Sequence, residues 1–403
     1  MKKPSLLVIF LTVFIDLIGF GIVLPLLPGY SERFGARGFQ IGLIISSFSL
    51  MQFFFAPMWG RLSDRIGRRP VLLISNAGST LSYALFAVGS SLTGSKGLMI
   101  LLASRVFAGI CGANLSVASA YIADVTTREN RSKGMGLIGM AFGLGFILGP
   151  ALGAFSAARF GLAGPGWVAA ALCGGNFLLA CWILVESRQP TSEKAAPRPR
   201  IEQWLHTLRQ PRLGLLITLF FLATFCFTCF ETTLPLLLDN RFGFDEKHIG
   251  YLFAFCGIVA AFVQGGAIGR LVKRFGEPQL IAGSMVVVAV SLVMIPFAPN
   301  LAGLLAGLGL FAAGSGVNRA PTMGMISMTA SAAEQGATLG VAQSAGTLAR
   351  IFGPVFATSL YAVRAPLPYL ICAGIALVTS VVAWQRLCKG RQPLVAGKPQ
   401  NAG

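Results

Sequence analysis

Five charged side chains stand deep inside apolar runs of this chain: Asp16, Arg105, Glu231, Arg319 and Arg350. A charge in hydrocarbon is costly unless it is paired or faces a wet cavity, so charges kept there point to function. Asp16 is the only acid of the first run and Glu231 the only acid of the seventh; the arginines stand in the fourth, tenth and eleventh. A carboxylate that alternates between a desolvated, protonated state and an arginine-paired, ionised state can carry a proton. A cavity arginine can instead hold an anion by charge and bidentate hydrogen bonding. The plainer readings are a static ion pair that fixes helix register, or an arginine that reaches the membrane surface. Asn114, Asn318 and Gln343 join the two arginines as cavity candidates, and Asn76, Asn176, Gln52 and Gln264 are further polar side chains of the same runs; bonding between helices is the competing role for each.

The elements that must position these residues follow from composition. Hydrophobic residues make up 55%, charged residues 11%, and the mean hydropathy is +0.73. That excludes a water-soluble fold. Twelve runs reach the length needed to cross a bilayer, at roughly 5–30, 41–60, 70–92, 97–123, 133–156, 165–187, 212–238, 248–270, 278–298, 301–325, 335–361 and 366–388. They are expected to be helices, because hydrocarbon offers no partner for free backbone groups and the short alternation of membrane strands is absent. The first run is too long for a signal-peptide core and has no Ala-x-Ala cleavage site, so it is expected to stay.

The net charge of +18 could point to nucleic acid, but its placement decides otherwise. In a twelve-span reading, twenty-two lysines and arginines fall on the side of the termini and seven on the other. This imbalance predicts cytoplasmic termini, with anionic lipid contact as a secondary effect and no nucleic-acid partner.

The chain is also duplicated. Gly60-Arg61-Leu62-Ser63-Asp64-Arg65-Ile66-Gly67-Arg68-Arg69-Pro70 has a worn copy in Gly269-Arg270-Leu271-Val272-Lys273-Arg274-Phe275-Gly276, about 209 residues later. Leu24-Pro25-Leu26-Leu27 matches Leu234-Pro235-Leu236-Leu237, and Gly149-Pro150 matches Gly353-Pro354. Residues 1–187 therefore read as one six-helix bundle, 188–211 as a polar, basic, cytoplasmic linker, 212–390 as a second bundle and 391–403 as a cytoplasmic tail. The expected fold class is an all-α membrane protein of twelve transmembrane helices in two pseudo-symmetric bundles, with a cavity between them.

In the repeated loop, Gly60 and Gly67 allow tight turns, Pro70 can start the third helix, and Asp64 is expected near a helix start, where a carboxylate is favoured. In the fifth span, Gly145, Gly149 and Gly153 share one helical face on which another helix can pack closely, and Pro150 bends the span. The eight cysteines lie in or at the ends of apolar runs without polar neighbours, so a structural role is expected and no metal site. His206 and His248 are the only histidines and join no recognisable catalytic array. An integral-membrane enzyme is poorly supported, and no cofactor is expected.

These segments together resemble the major facilitator superfamily, and within it the twelve-span drug/proton antiporters that include tetracycline efflux proteins. The likeness runs almost end to end. It is densest in Phe55-Ala56-Pro57 to Pro70-Val71-Leu72-Leu73 and in Ala120-Tyr121-Ile122-Ala123-Asp124-Val125-Thr126. The resemblance implies a gating charge cluster of Arg61, Asp64, Arg65 and Arg68 with Asp124, in which Asp124 meets Arg61 or Arg65. It assigns Gly145, Gly149, Pro150 and Gly153 to the antiporter motif, with Ala154 in place of a last glycine. It matches Asp16 and Arg105 to an acid and an arginine of the first and fourth spans, the arginine being implicated in proton transfer; Glu231 joins them here as a proton-coupling candidate. Gly346 to Pro354 and Glu231 to Leu234 resemble the animal tetracycline-transporter-like branch, associated with organic anions. Ser82 stands where tetracycline efflux proteins carry an aspartate, which argues against a magnesium-bound tetracycline.

The expectation is a monomeric, proton-coupled exporter of small amphipathic molecules in a bacterial inner membrane, of the kind that confers multidrug resistance by drug efflux. A lipid flippase or an organic-anion transporter of the same fold is the alternative.

Overall fold

The computed structural model describes residues 5–112, 114–126, 131–187, 200–330 and 335–388. Among these residues every regular element is helical. Long helices, here α1 to α12, cover Leu6–Arg33, Phe39–Ile66, Arg68–Ser90, Gly94–Val125, Arg131–Phe160, Gly164–Ile183, Pro211–Phe242, Glu246–Phe275, Glu277–Phe297, Leu301–Thr329, Gln335–Val363 and Leu367–Cys388. Eleven of them are long and apolar enough to cross a membrane, and the remaining one, α11, is 29 residues long. A shorter helix, Arg200–Arg209, precedes α7 in the expected linker; residues 188–199 of that linker and the expected tail 391–403 lie outside the described residues.

The fold is the twelve-helix arrangement the hydropathy predicts, and its packing is twofold. α1 packs on α5 as α7 packs on α11, α3 on α6 as α9 on α12, and α2 on α4 as α8 on α10. Between the bundles, α2 meets α11 and α8 meets α5. Glycine makes these approaches possible. A Cβ on Gly42 of α2 would lie 2.8 Å from the Pro354 carbonyl oxygen of α11, and one on Gly250 of α8 would lie 2.8 Å from that of Pro150 in α5. Both seats are Gly-Pro bends inside long helices, Gly149-Pro150 and Gly353-Pro354, so the duplicated dipeptide is where each half receives the other.

The loop around the charged repeat differs from the sequence expectation. Gly60 lies inside α2, and only Gly67, at φ 106°, makes the turn into α3. Asp64 stands in the last turn of α2 rather than near a helix start; the carboxylate at the start of α3 is that of Glu186.

Candidate functional site

The expected site residues divide into three clusters. In the first bundle, Asp16 of α1 is half-buried and Arg105 of α4 is 1% exposed. The Arg105 guanidinium lies 5.5 Å from the ring centroids of both Tyr83 and Phe86 on α3, and its Nε and Nη2 have no hydrogen-bond partner among the described residues. Asp16 and Arg105 are both within electrostatic reach of Tyr83. Neither ring was singled out from the sequence; an aromatic pair three residues apart is common in apolar helices.

Directly past Asp16 the glycines expected to form the antiporter motif close on α1. A Cβ on Gly145 would crowd Leu17, one on Gly149 would lie 2.6 Å from the Gly21 backbone, and one on Gly153 would meet the Ile22 carbonyl. The small face read in α5 is thus the seat for the helix that carries Asp16.

In the second bundle, Glu231 of α7 is 8% exposed and Arg350 of α11 is half-buried. Arg350 is within electrostatic reach of both Glu231 and Arg319 of α10. Arg350 therefore links the carboxylate to a second arginine. Separately, a largely apolar cavity of about 420 Å³ is lined by Leu50 of α2, Phe225 of α7 and Ile351, Phe352 and Phe356 of α11; Ile351 follows Arg350 in the chain, but none of the three charged residues lines it. This volume lies in the range of small-molecule sites.

The other cavity candidates fare differently. Gln343 is exposed. Asn318 is a correction: it is 5% exposed, and its amide donates to Ser284 Oγ at 3.0 Å and to the Ile281 carbonyl at 3.4 Å, tying α10 to α9. Adjacent residues on a helix point about 100° apart, so Arg319 can lie within reach of Arg350 while Asn318 faces α9. Asn114 is in α4, and its side chain lies outside the described residues.

The third cluster is the loop. Arg68 donates through Nη1 to Asp64 at 2.5 Å and to Ser63 at 2.7 Å, and through Nε to Asp124 at 3.1 Å. The expectation paired Asp124 with Arg61 or Arg65. Arg68 takes that place because the turn at Gly67 makes it the first residue of α3, whereas Arg61 and Arg65 remain on α2 and exposed. Ser187 also bonds Asp124, at 3.1 Å.

Glu186, not singled out from the sequence, accepts the backbone N–H of Arg68 at 2.8 Å and that of Arg69 at 3.0 Å. A carboxylate there satisfies two orphan donors at a helix start. Its only sequence signal was an acid at the end of an apolar run.

At the end opposite these loops, Arg33 of α1 and Glu246 of α8 pair at 2.7 Å, joining the bundles. Asn240 of α7 donates to the Tyr361 hydroxyl of α11 at 3.3 Å.

Two duplicated bundles with charged residues buried in each define a transporter architecture, and the comparisons agree. The Major Facilitator Superfamily model matches residues 9–277 and 265–400. The chain is 34% identical over 394 residues to the class C tetracycline resistance protein of Escherichia coli, covering 94% of this chain and 96% of that one. It is 31% identical to major facilitator superfamily domain-containing protein 10 of Mus musculus, covering 95% and 93%. The crystal structure of the human organic anion transporter MFSD10 (TETRAN) superposes with a TM-score of 0.71 at 28% identity, covering 95% of this chain and all of that one. This chain belongs to the Major Facilitator Superfamily: it is a multi-pass integral membrane transporter, not an enzyme.

Proposed function

We propose that this transporter is a proton-coupled exporter of small amphipathic molecules, preferentially anionic ones, working by alternating access with its termini in the cytoplasm. The observation that carries the reading is the Glu231, Arg350 and Arg319 cluster, in which Arg350 links an intramembrane carboxylate to a second arginine. An amphipathic anion is attracted by the two arginines, and the cavity lined by Phe225, Phe352 and Phe356 offers a place for an apolar body. Likeness to a human organic anion transporter supports the same preference.

For the protons, Asp16 and Glu231 are the carriers, one in each bundle, each with an arginine of its own bundle to favour its ionised form. The antiporter glycines that seat α1 support exchange. The charge imbalance between loops supports cytoplasmic termini; the Arg33–Glu246 end is then the outer end, closed here.

The test is transport in proteoliposomes with entrapped pyranine and an imposed pH gradient, using fluorescein as the anion and ethidium as the cation. Proton movement triggered by fluorescein, and abolished by Asp16→Asn, is the expected result. Ethidium-driven flux without any response to fluorescein would overturn the anion preference, and flux indifferent to the gradient would overturn coupling.

A further inference from the structure

We infer that Tyr83 is a positioning residue for the proton step: its ring, with that of Phe86, holds the Arg105 guanidinium in place of a counter-ion and so governs when Arg105 answers to Asp16. The inference rests on the coupling reading above and adds a residue to it.

Arg105 is among the largest fully buried side chains of the molecule, yet two of its nitrogens, Nε and Nη2, have no acceptor among the described residues. What it has is two aromatic faces, each 5.5 Å away. A desolvated cation is held by the ring quadrupole, but a ring face accepts no directional pair of hydrogen bonds. The donors stay unused while the charge is tolerated.

The cage is built, not incidental. Phe86 stacks on Tyr30 at 5.8 Å, and the Tyr30 hydroxyl donates to the Leu162 carbonyl at 2.9 Å. Ser82 Oγ donates to the Ser104 carbonyl at 3.0 Å, locking the residues beside Tyr83 and Arg105 in register. On its far side the Tyr83 ring lies against α1: a Cβ on Gly19 would stand 3.0 Å from Cε2 and 3.4 Å from Cζ. Gly19 is one turn from Asp16, so one ring touches the arginine's helix and the acid's helix together.

The titratable and charged groups facing Tyr83 are Asp16 on α1, Arg105 on α4 and Cys173 on α6, with Tyr30 behind Phe86. While the rings hold Arg105, its charge is kept from Asp16. Without the ring, Arg105 turns to Asp16, and a proton-linked opening moves to lower pH.

The readout is the outer-end distance between spin labels at Gln40→Cys and Val363→Cys, in a background with the eight native cysteines replaced, followed from pH 5 to 9 without substrate. Tyr83→Leu should move the midpoint of the pH-dependent opening down by about one unit, a tenfold change in proton affinity. Tyr83→Phe, which keeps the ring, should stay close to wild type, and Asp16→Asn should abolish the transition. Phe86→Leu removes the second ring and should shift the midpoint in the same direction by a smaller amount. A Tyr83→Leu protein that titrates like wild type overturns the inference and leaves coupling standing; if that variant does not fold, an unshifted Phe86→Leu overturns it. A wild type with no pH-dependent opening overturns both.

Discussion

Arg33 and Glu246 come from different bundles and meet at 2.7 Å at the end where the bundles touch. With the Arg33 side chain half exposed, the pair is screened, and such pairs contribute about 1 kcal/mol or less. Glu246→Gln is therefore expected to raise the open fraction of that end by up to about fivefold, read as faster maleimide labelling of a cysteine placed at Gln40. The exchanged pair Arg33→Glu with Glu246→Arg should restore the wild-type rate. Unchanged labelling in the single variant would show that the glycine contacts alone hold the end shut.

Those glycine contacts allow an internally controlled test. Gly149→Ala places a Cβ 2.6 Å from the Gly21 backbone and should destabilise by about 1–3 kcal/mol, whereas Gly143→Ala, six residues earlier on the same helix with nothing within 4 Å, should be neutral or slightly stabilising. Thermal denaturation in detergent compares them. Equal melting temperatures would remove the packing argument for α5.

Glu186 should matter to stability more than a lone acid at the end of a span. Glu186→Ala leaves the Arg68 and Arg69 N–H groups without their acceptor and should cost about 1–2 kcal/mol. Gly67→Ala should be worse, since its φ is 106° and its Cβ would collide with the Glu186 carboxylate. A wild-type melting temperature for Glu186→Ala would contradict this.

Asp245 caps α8. It accepts the His248 backbone N–H at 3.0 Å and lies 2.6 Å from the ring Nδ1, and the backbone bond above all holds its carboxyl below the usual range. A depressed carboxyl contributes stability above the unfolded-state value and loses it as pH falls through the folded one, so the cap should be at full strength at neutral pH and fade in acid. Asp245→Ala should cost about 1 kcal/mol at pH 7, and the difference from wild type should shrink as the pH falls below the ordinary aspartate range. Melting curves across that range test it, and a pH-independent difference would refute it.

Arg319→Gln should lower fluorescein transport about tenfold while leaving ethidium transport within about twofold, because a lost charge-assisted hydrogen bond is worth about 1.5–3 kcal/mol only to a ligand that makes it. Equal losses for both dyes would reassign Arg319 to structure.

Much of the molecule was legible one-dimensionally. Span length, the preference for helix, the duplication and the intramembrane charges are properties of hydropathy and spacing, which report the local free energy of leaving water. The glycine face of α5 could be read the same way, because three residues on one helical stripe have one place to point.

Partners could not be read that way. Asp124 went to Arg68 and not to Arg61 or Arg65, since one glycine turn decided which arginine began the next helix. Asn318 bonded to α9 while its neighbour Arg319 joined Arg350, a difference set by rotation about the helix axis. Glu186 reached the start of α3 from 118 residues away, and Arg33 found Glu246 across the two bundles. The sequence by itself determined which segments leave water and which charges go with them, because that depends on each residue and its near neighbours. Only the tertiary structure decided which of those charges meet, because that depends on how whole helices turn and pack against one another.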